Sequence, residues 1–413
     1  MRIPAAFLLS TILARVFCTG ADAADMLSAK DFISRLGVNV HVEYTDGDYH
    51  NIGQVISDLK YLGITNVRDA NLNPRNQGQR AYFNLADAGI HMDLIMLGGH
   101  DPADSIHSVE SLQTEFPGSI VAIEGPNEID HAPFKYQGQS GGPAAIALQQ
   151  DLYRMAKASA ALKSIPVYSF SLGSGATPTG GYDFVALHPY PQNGTQPGAW
   201  IRKEARLSPP GATSVITEAG YASLPTWTSK GVDEDAQARL TLNLLFDAAQ
   251  QGFQAIYLYE LLDAYDDPTG KDGGQHYGLF DHHGNPKKVA VALHNLTSIL
   301  ASDAPGAPMP DPGVTLSGAP TLPNQLILAK PHGVFDVVVW QEPRIWDSGK
   351  HARIAVADTP VKVSLGQAFR SAKVFDPLTG TAPVAQAQNA TSLDIALSDH
   401  PVIVEIEPGA SAQ

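Results

Sequence analysis

Two glutamates stand where a reaction could run between them. One ends the stretch Glu124-Gly125-Pro126-Asn127-Glu128, which opens out of the apolar run Ser119–Ile123; the other ends Ser214-Val215-Ile216-Thr217-Glu218. Short β-branched runs of this kind form buried strands, so each carboxyl is expected at a strand end rather than on a helix face. A carboxyl pair facing one substrate can protonate a leaving oxygen from one side while attacking, or activating water, on the other. That is the minimum equipment for cleaving a glycosidic bond. The two groups must then differ. An acid has to hold its proton near neutral pH, which a partly apolar pocket and a neighbouring negative charge favour, while its partner has to stay ionised. The bland alternative is two solvated loop carboxylates.

The elements that would position this pair recur in a regular order. Eight candidate strands alternate with amphipathic stretches: Leu36–His41, Thr65–Asp69, His91–Leu97, Ser119–Glu124, Pro166–Ser171, Asp183–His188, Thr213–Glu218 and Gln254–Tyr259. The clearest helices are Ile52–Leu62, Pro143–Leu162, Asp233–Gln251 and Pro286–Leu300, whereas Leu172–Tyr182 is too short and too rich in Gly and Pro for one. Eight βα units predict a (β/α)8 TIM barrel, whose reacting groups lie at the C-terminal strand ends. Both glutamates satisfy that test. From residue 303 to 314 the chain is proline-rich and reads as a linker. Residues 315–413 alternate short strands with turns: Gln325–Ala329, Val334–Gln341, Arg353–Val356, Lys362–Leu365, Lys373–Phe375, Ser392–Ile395 and Val402–Ile406. They predict an all-β module, most simply a sandwich, packed on the barrel.

The order of these motifs resembles the glycoside hydrolases of clan A, with family 39 the nearest. The resemblance covers Gly37 to Leu300. It rests on Asn127-Glu128 after strand four, Thr217-Glu218-Ala219-Gly220 after strand seven, Arg68 ending strand two and His188-Pro189-Tyr190 ending strand six. The stretch Tyr277-Gly278-Leu279-Phe280-Asp281, followed by Gly284-Asn285-Pro286-Lys287-Lys288, is similar to the connection into that clan's last helix. The resemblance implies a retaining mechanism with Glu128 as acid/base and Glu218 as nucleophile. It also implies that Arg68 and Tyr190 serve the nucleophile, that His188 touches nucleophile or sugar, and that Asn127 donates to the sugar 2-hydroxyl. The sequence departs from the clan at Ile129, where a proline is usual, and at strand eight, where Tyr257-Leu258-Tyr259-Glu260 replaces a common tryptophan.

Further rim candidates are His41, Glu43 and Tyr44 after strand one, His100 and Asp101 after strand three, and Tyr257, Tyr259, Glu260, Asp263, Tyr265 and Asp266 at and after the end of strand eight. Tyr182, Tyr221 and Trp227 are aromatic faces that suit either sugar stacking or a core. Glu124 has two readings, as a partner holding Asn127 or His188 or as a charge facing a helix. His188 could equally be a satisfied core histidine. No metal or cofactor is expected: the 14 histidines form no His-x-His or His-x-x-x-His set, although the acidic Asp263–Asp272 loop leaves a structural Ca2+ open. No Ser elbow, Cys nucleophile or phosphate loop occurs.

Composition bounds the partners. The net charge of −15 gives no attraction to nucleic acid or an anionic membrane. Residues 1–23 read as a secretory signal, with Arg2, an apolar run and Ala21-Asp22-Ala23. The run is too short for a membrane anchor, and cleavage after Ala23 removes Cys18, the single cysteine. The expectation is a secreted or periplasmic β-glycoside hydrolase, endo-acting on a polysaccharide because loops one, two and eight are long and polar. An exo-enzyme or transglycosylase on the same site remains open, as does a non-catalytic carbohydrate-binding barrel. The sequence leaves the oligomeric state undetermined.

Overall fold

The computed structural model describes residues 26–70, 78–96, 101–131, 134–171, 178–227, 230–304 and 311–409. The proposed signal, His100 and half of the linker lie outside them. Eight parallel strands form one sheet: β1 Leu36–Asn39, β2 Asn66–Ala70, β3 His91–Ile95, β4 Ile120–Glu124, β5 Val167–Tyr168, β6 Val185–Leu187, β7 Ser214–Ala219 and β8 Ile256–Leu258. Each pairs with its chain neighbour, and β1 pairs β8. The remaining gap closes between β5 and β6, where Tyr168 bridges Phe184 and Ser169 N donates to Phe184 O at 2.9 Å. The fold is a (β/α)8 barrel.

The strands are buried on both faces, as continuous apolar runs require. Packing at the bottom is close enough to need glycine: a Cβ on Gly37 would lie 2.3 Å from the Tyr257 ring. The outer helices include α1 Ala29–Ser34, α2 Ile52–Leu62, α3 Gln79–Asp87, α4 Pro102–Glu115, α5 Gly142–Ala158, α6 Pro197–Ala205, α7 Glu234–Gln250 and α8 Lys288–Leu300. Local chemistry sets several ends. Asn51 caps α2 through Gln54 N, and Gly63 at φ 67° ends it. Asp233 caps α7 through Ala236 N. Helix α5 stops at Ala158, four residues before the expected Leu162, because Ser159 turns to ψ 131°.

The C-terminal residues form a six-stranded antiparallel sheet: β9 Thr315–Ser317, β10 Asn324–Ala329, β11 Phe335–Trp340, β12 Thr359–Phe375, β13 Ala385–Leu397 and β14 Val402–Glu407. The expected strands at Lys362–Leu365 and Lys373–Phe375 are parts of the single 17-residue β12, whose pairing with β13 shifts register between Ser364 and Phe369. That irregularity lets one strand bend around its own core of Val337, Val363, Phe369, Leu397 and Val404. The expected Arg353–Val356 strand shrinks to a rung, Ala352–Arg353 against Trp346–Asp347. β11 is buried on both sides. Val337 and Val339 face the module core, while Val338 and Trp340 join the barrel's hydrophobic cluster. Trp340 Nε1 donates to Asp247 Oδ1 of α7 at 3.0 Å, and its ring lies 5.8 Å from that of Phe246. The module therefore packs directly on the barrel's helices.

Candidate active site

Four strand ends converge on one guanidinium. Arg68, at the end of β2 and 1% exposed, donates from Nη1 to Glu218 Oε1 (2.7 Å) and Asn39 Oδ1 (2.8 Å). Its Nη2 donates to Glu124 Oε1 (2.9 Å) and Asn127 Oδ1 (2.8 Å), and its Nε to Glu124 Oε2 (2.6 Å). Glu124 thus holds Arg68; it neither supports Asn127 or His188 directly nor faces a helix. Beneath it, burial and the charge of Glu124 raise Asp93 well above the usual carboxylate range.

Glu218 ends in a second clamp. The Tyr190 hydroxyl donates to its Oε2 at 2.7 Å. Burial alone would favour the neutral acid, but the charges of His188 and Arg68 and the Tyr190 hydrogen bond outweigh it, and its pKa falls to about 2. Tyr190, with its own proton held well above the ordinary phenol range by burial and Glu218, stays a donor.

Glu128 has a different setting. It stands at φ 36° just beyond β4 and carries an imidazole on each oxygen. His188 Nδ1 is 2.8 Å from Oε1 and His131 Nδ1 is 2.7 Å from Oε2. The apolar pocket expected around this carboxyl is instead a polar one. His188 is fixed from behind, with Thr217 Oγ1 at 3.0 Å and Ser171 Oγ at 3.2 Å from Nε2. Burial opposes its charge, but Glu218 and Glu128 raise its pKa above the ordinary imidazole value, which favours the charged form between the two carboxyls. An oxygen of Glu128 and one of Glu218 lie within 4.8 Å of each other and of a His188 nitrogen. Asn127 spends its carbonyl on Arg68 and Ser171, the latter at 3.4 Å. Among the described residues its amide nitrogen has no partner and can donate outward.

The remaining rim residues form a side wall. Glu260, 3% exposed, accepts from the Tyr49 hydroxyl at 3.1 Å and lies 3.3 Å from His41 Nε2. Burial raises its pKa to about 7 despite His41. His41 stacks on Tyr44 at 4.6 Å, and Tyr259 packs edge-on to His41, Tyr190 and Tyr277. His41, Glu43 and Asp69 bring three potential ligand atoms within 4.8 Å. Burial and the charge of Glu43 push Asp69 well above the usual carboxylate range. In the acidic 263–272 loop, Asp267 accepts from the backbone N–H groups of Thr269, Lys271 and Asp272, and Asp263 pairs with Lys287 at 2.6 Å.

Other candidates have structural roles. Asp101 caps α4 through Ala103 N at 2.9 Å. Tyr221 is buried, with its hydroxyl on Thr195 O at 3.0 Å, and Tyr182 packs on the barrel core. Trp227 covers Gly273 and meets Tyr277 edge-on at 6.0 Å. Sequence reasoning missed Asn39, Thr217, Tyr49 and His131 as site residues. The first two are strand-end polar residues that the rule applied to the glutamates would have flagged. Nothing local marks Tyr49 or His131.

No family model matches the sequence, and no curated protein matches it. Solved structures do. A family 39 glycoside hydrolase from the gut symbiont Bacteroides cellulosilyticus WH2 is 12% identical, with a TM-score of 0.62 over 92% of this chain and 82% of that one. A monomeric beta-xylosidase from Caulobacter crescentus CB15 is 13% identical, with a TM-score of 0.57 over 92% and 97%. A glucosidase from Croceicoccus marinus is 11% identical, with a TM-score of 0.53 over 86% and 92%. At such identity the likeness is one of fold, and it extends through barrel and β-module together.

Proposed function

We propose that this chain is a retaining β-glycoside hydrolase, with Glu218 as nucleophile and Glu128 as acid/base. The observation that carries the reading is the approach of the two carboxyls to within 4.8 Å. So close an approach of their nearest oxygens suits double displacement, with carboxyls about 5–5.5 Å apart, better than the roughly 6.5–9.5 Å of an inverting enzyme. The fold shared with solved glycosidases supports it.

In the first step Glu218 attacks the anomeric carbon, the glycosidic C–O bond breaks, and Glu128 gives its proton to the departing oxygen. In the second, Glu128 takes a proton from water, whose oxygen attacks the same carbon and releases Glu218. Arg68 and Tyr190 suit the nucleophile, since both stabilise its charged form before attack. The amide nitrogen of Asn127 suits the 2-hydroxyl, a contact that strengthens in the transition state. Polar loops after β1 and β8 favour an open cleft and endo-action on a polysaccharide. The leader favours a secreted or periplasmic location, which N-terminal sequencing of exported protein would test.

The decisive experiment replaces Glu218 with Ala or Gln, assays a panel of β-linked glycans, and adds azide. A glycosyl azide of inverted configuration from the Ala variant would identify Glu218 as nucleophile. A wild type inert on the panel, or a fully active variant, sinks the assignment.

A further inference from the structure

The two oxygens of Glu128 are held by unlike partners. The His188 side chain on Oε1 is 7% exposed and anchored through its other nitrogen, whereas the His131 side chain on Oε2 is 71% exposed. Among the described residues the His131 ring has no second partner. Its position follows from the backbone: Glu128 at φ 36° opens a turn in which His131 N donates to Glu128 O at 2.9 Å, bringing side chains 128 and 131 together. A non-glycine residue in that region is strained, and such strain persists where the surroundings impose it.

A general acid hands its proton only to an oxygen that comes within about 2.6–3.2 Å. On Glu128 the inner oxygen is closed by an imidazole that cannot leave without breaking two further hydrogen bonds. The outer oxygen is closed by one that can rotate into solvent. We infer that Oε2 is the oxygen Glu128 offers to substrate, and that His131 occupies the place of the leaving-group oxygen, gating the leaving-group subsite.

This inference rests on the glycosidase reading and adds to it a direction across the cleft: the aglycone leaves over the turn at residues 128–131. Substrate binding on that side then costs one solvent-exposed imidazole–carboxyl pair, His131 with Glu128. Such pairs are weak, so the penalty on affinity is about two- to fivefold. A substrate that fills only the glycone side does not incur it.

The test compares wild type and His131→Ala on two substrates of one sugar: the β-xylosyl or β-glucosyl fluoride, whichever the wild type cleaves, and the corresponding β-linked disaccharide. Fluoride leaves without needing a proton and fills no leaving-group subsite. The ratio of KM for the disaccharide to KM for the fluoride is expected to fall about two- to fivefold in the variant. An unchanged or higher ratio overturns the inference while leaving the glycosidase reading intact. A wild type that cleaves neither substrate brings down that reading and the inference with it.

Discussion

The barrel rim and the barrel–module junction both bury networks of charge, and they use it differently. At the rim, Arg68 gathers Glu124, Glu218 and Asn127 from two strand ends, yet Glu128 and the amide of Asn127 still face the cleft. At the junction the strong groups are tied to one another across the two regions. Arg239 of α7 donates to Asp399 of the module; His400 bridges Asp399 at 2.9 Å and Asp376 at 3.0 Å. Asp247 meets Trp340, and burial together with the charge of Glu342 raises its pKa to about 8. A strongly shifted carboxyl therefore does not by itself mark a reaction centre. What separates Glu218 from Asp247 is direction and access: one is held ionised beside a second carboxyl at an open rim, the other is held neutral against an indole.

Substitutions can sharpen or break this contrast. The largest effect is expected for Glu218→Gln, which should lower kcat by about 10⁴-fold or more while leaving thermal unfolding near wild type. A comparable loss from an alteration at Asp247 would erase the distinction. Arg68→Met should damage both properties, because it strands Glu124 and Glu218 as buried charges; breaking such a pair costs about 3–5 kcal/mol in denaturant unfolding. Trp340→Ala should destabilise by about 3–5 kcal/mol through the cavity left between β11 and α7, with kcat of the folded fraction retained. If folded Trp340→Ala protein loses catalysis outright, the junction is not a separate structural region.

The smallest effect is a slope against pH. Asp247 stays neutral in the fold up to about pH 8, while in the unfolded chain an aspartate ionises above about pH 4. The unfolded state thus loses its proton first, so this group's contribution to stability falls as pH rises from about 4 to about 8, then levels. The slope is at most about 1.4 kcal/mol per pH unit. His400 acts in the same direction, since its folded-state pKa is raised against burial by Asp376 and Asp399. Asp247→Asn keeps an acceptor for Trp340 and removes the titration. Its unfolding free energy should be flatter than wild type between pH 4 and 8, and an identical slope would show that Asp247 is not the group responsible.

Much of the fold was legible because it is written in local periods. The eight strands appear as short β-branched runs, helix α2 begins and ends on its Asn51 cap and Gly63, and the strand-end rule singled out Glu128 and Glu218 without tertiary information. The module read less well. Two apparent strands, at Lys362–Leu365 and Lys373–Phe375, are one bent strand, since the residues between them look like a turn until β13 pairs alongside.

The choice of partners was not legible. Arg68 reaches Glu124 and Glu218 across 56 and 150 residues, and His188 reaches Glu128 across 60. The resemblance left His188 between nucleophile and sugar; in the structure its closest carboxyl is Glu128, because β6 and the loop after β4 meet across the rim. The sequence by itself determined which chemical groups stand at strand ends, since periodicity and residue type are local properties. Only the tertiary structure decided which oxygen of which carboxyl each cation takes. That depends on closing the barrel to tenths of an ångström, and no local pattern encodes a distance between residues so far apart along the chain.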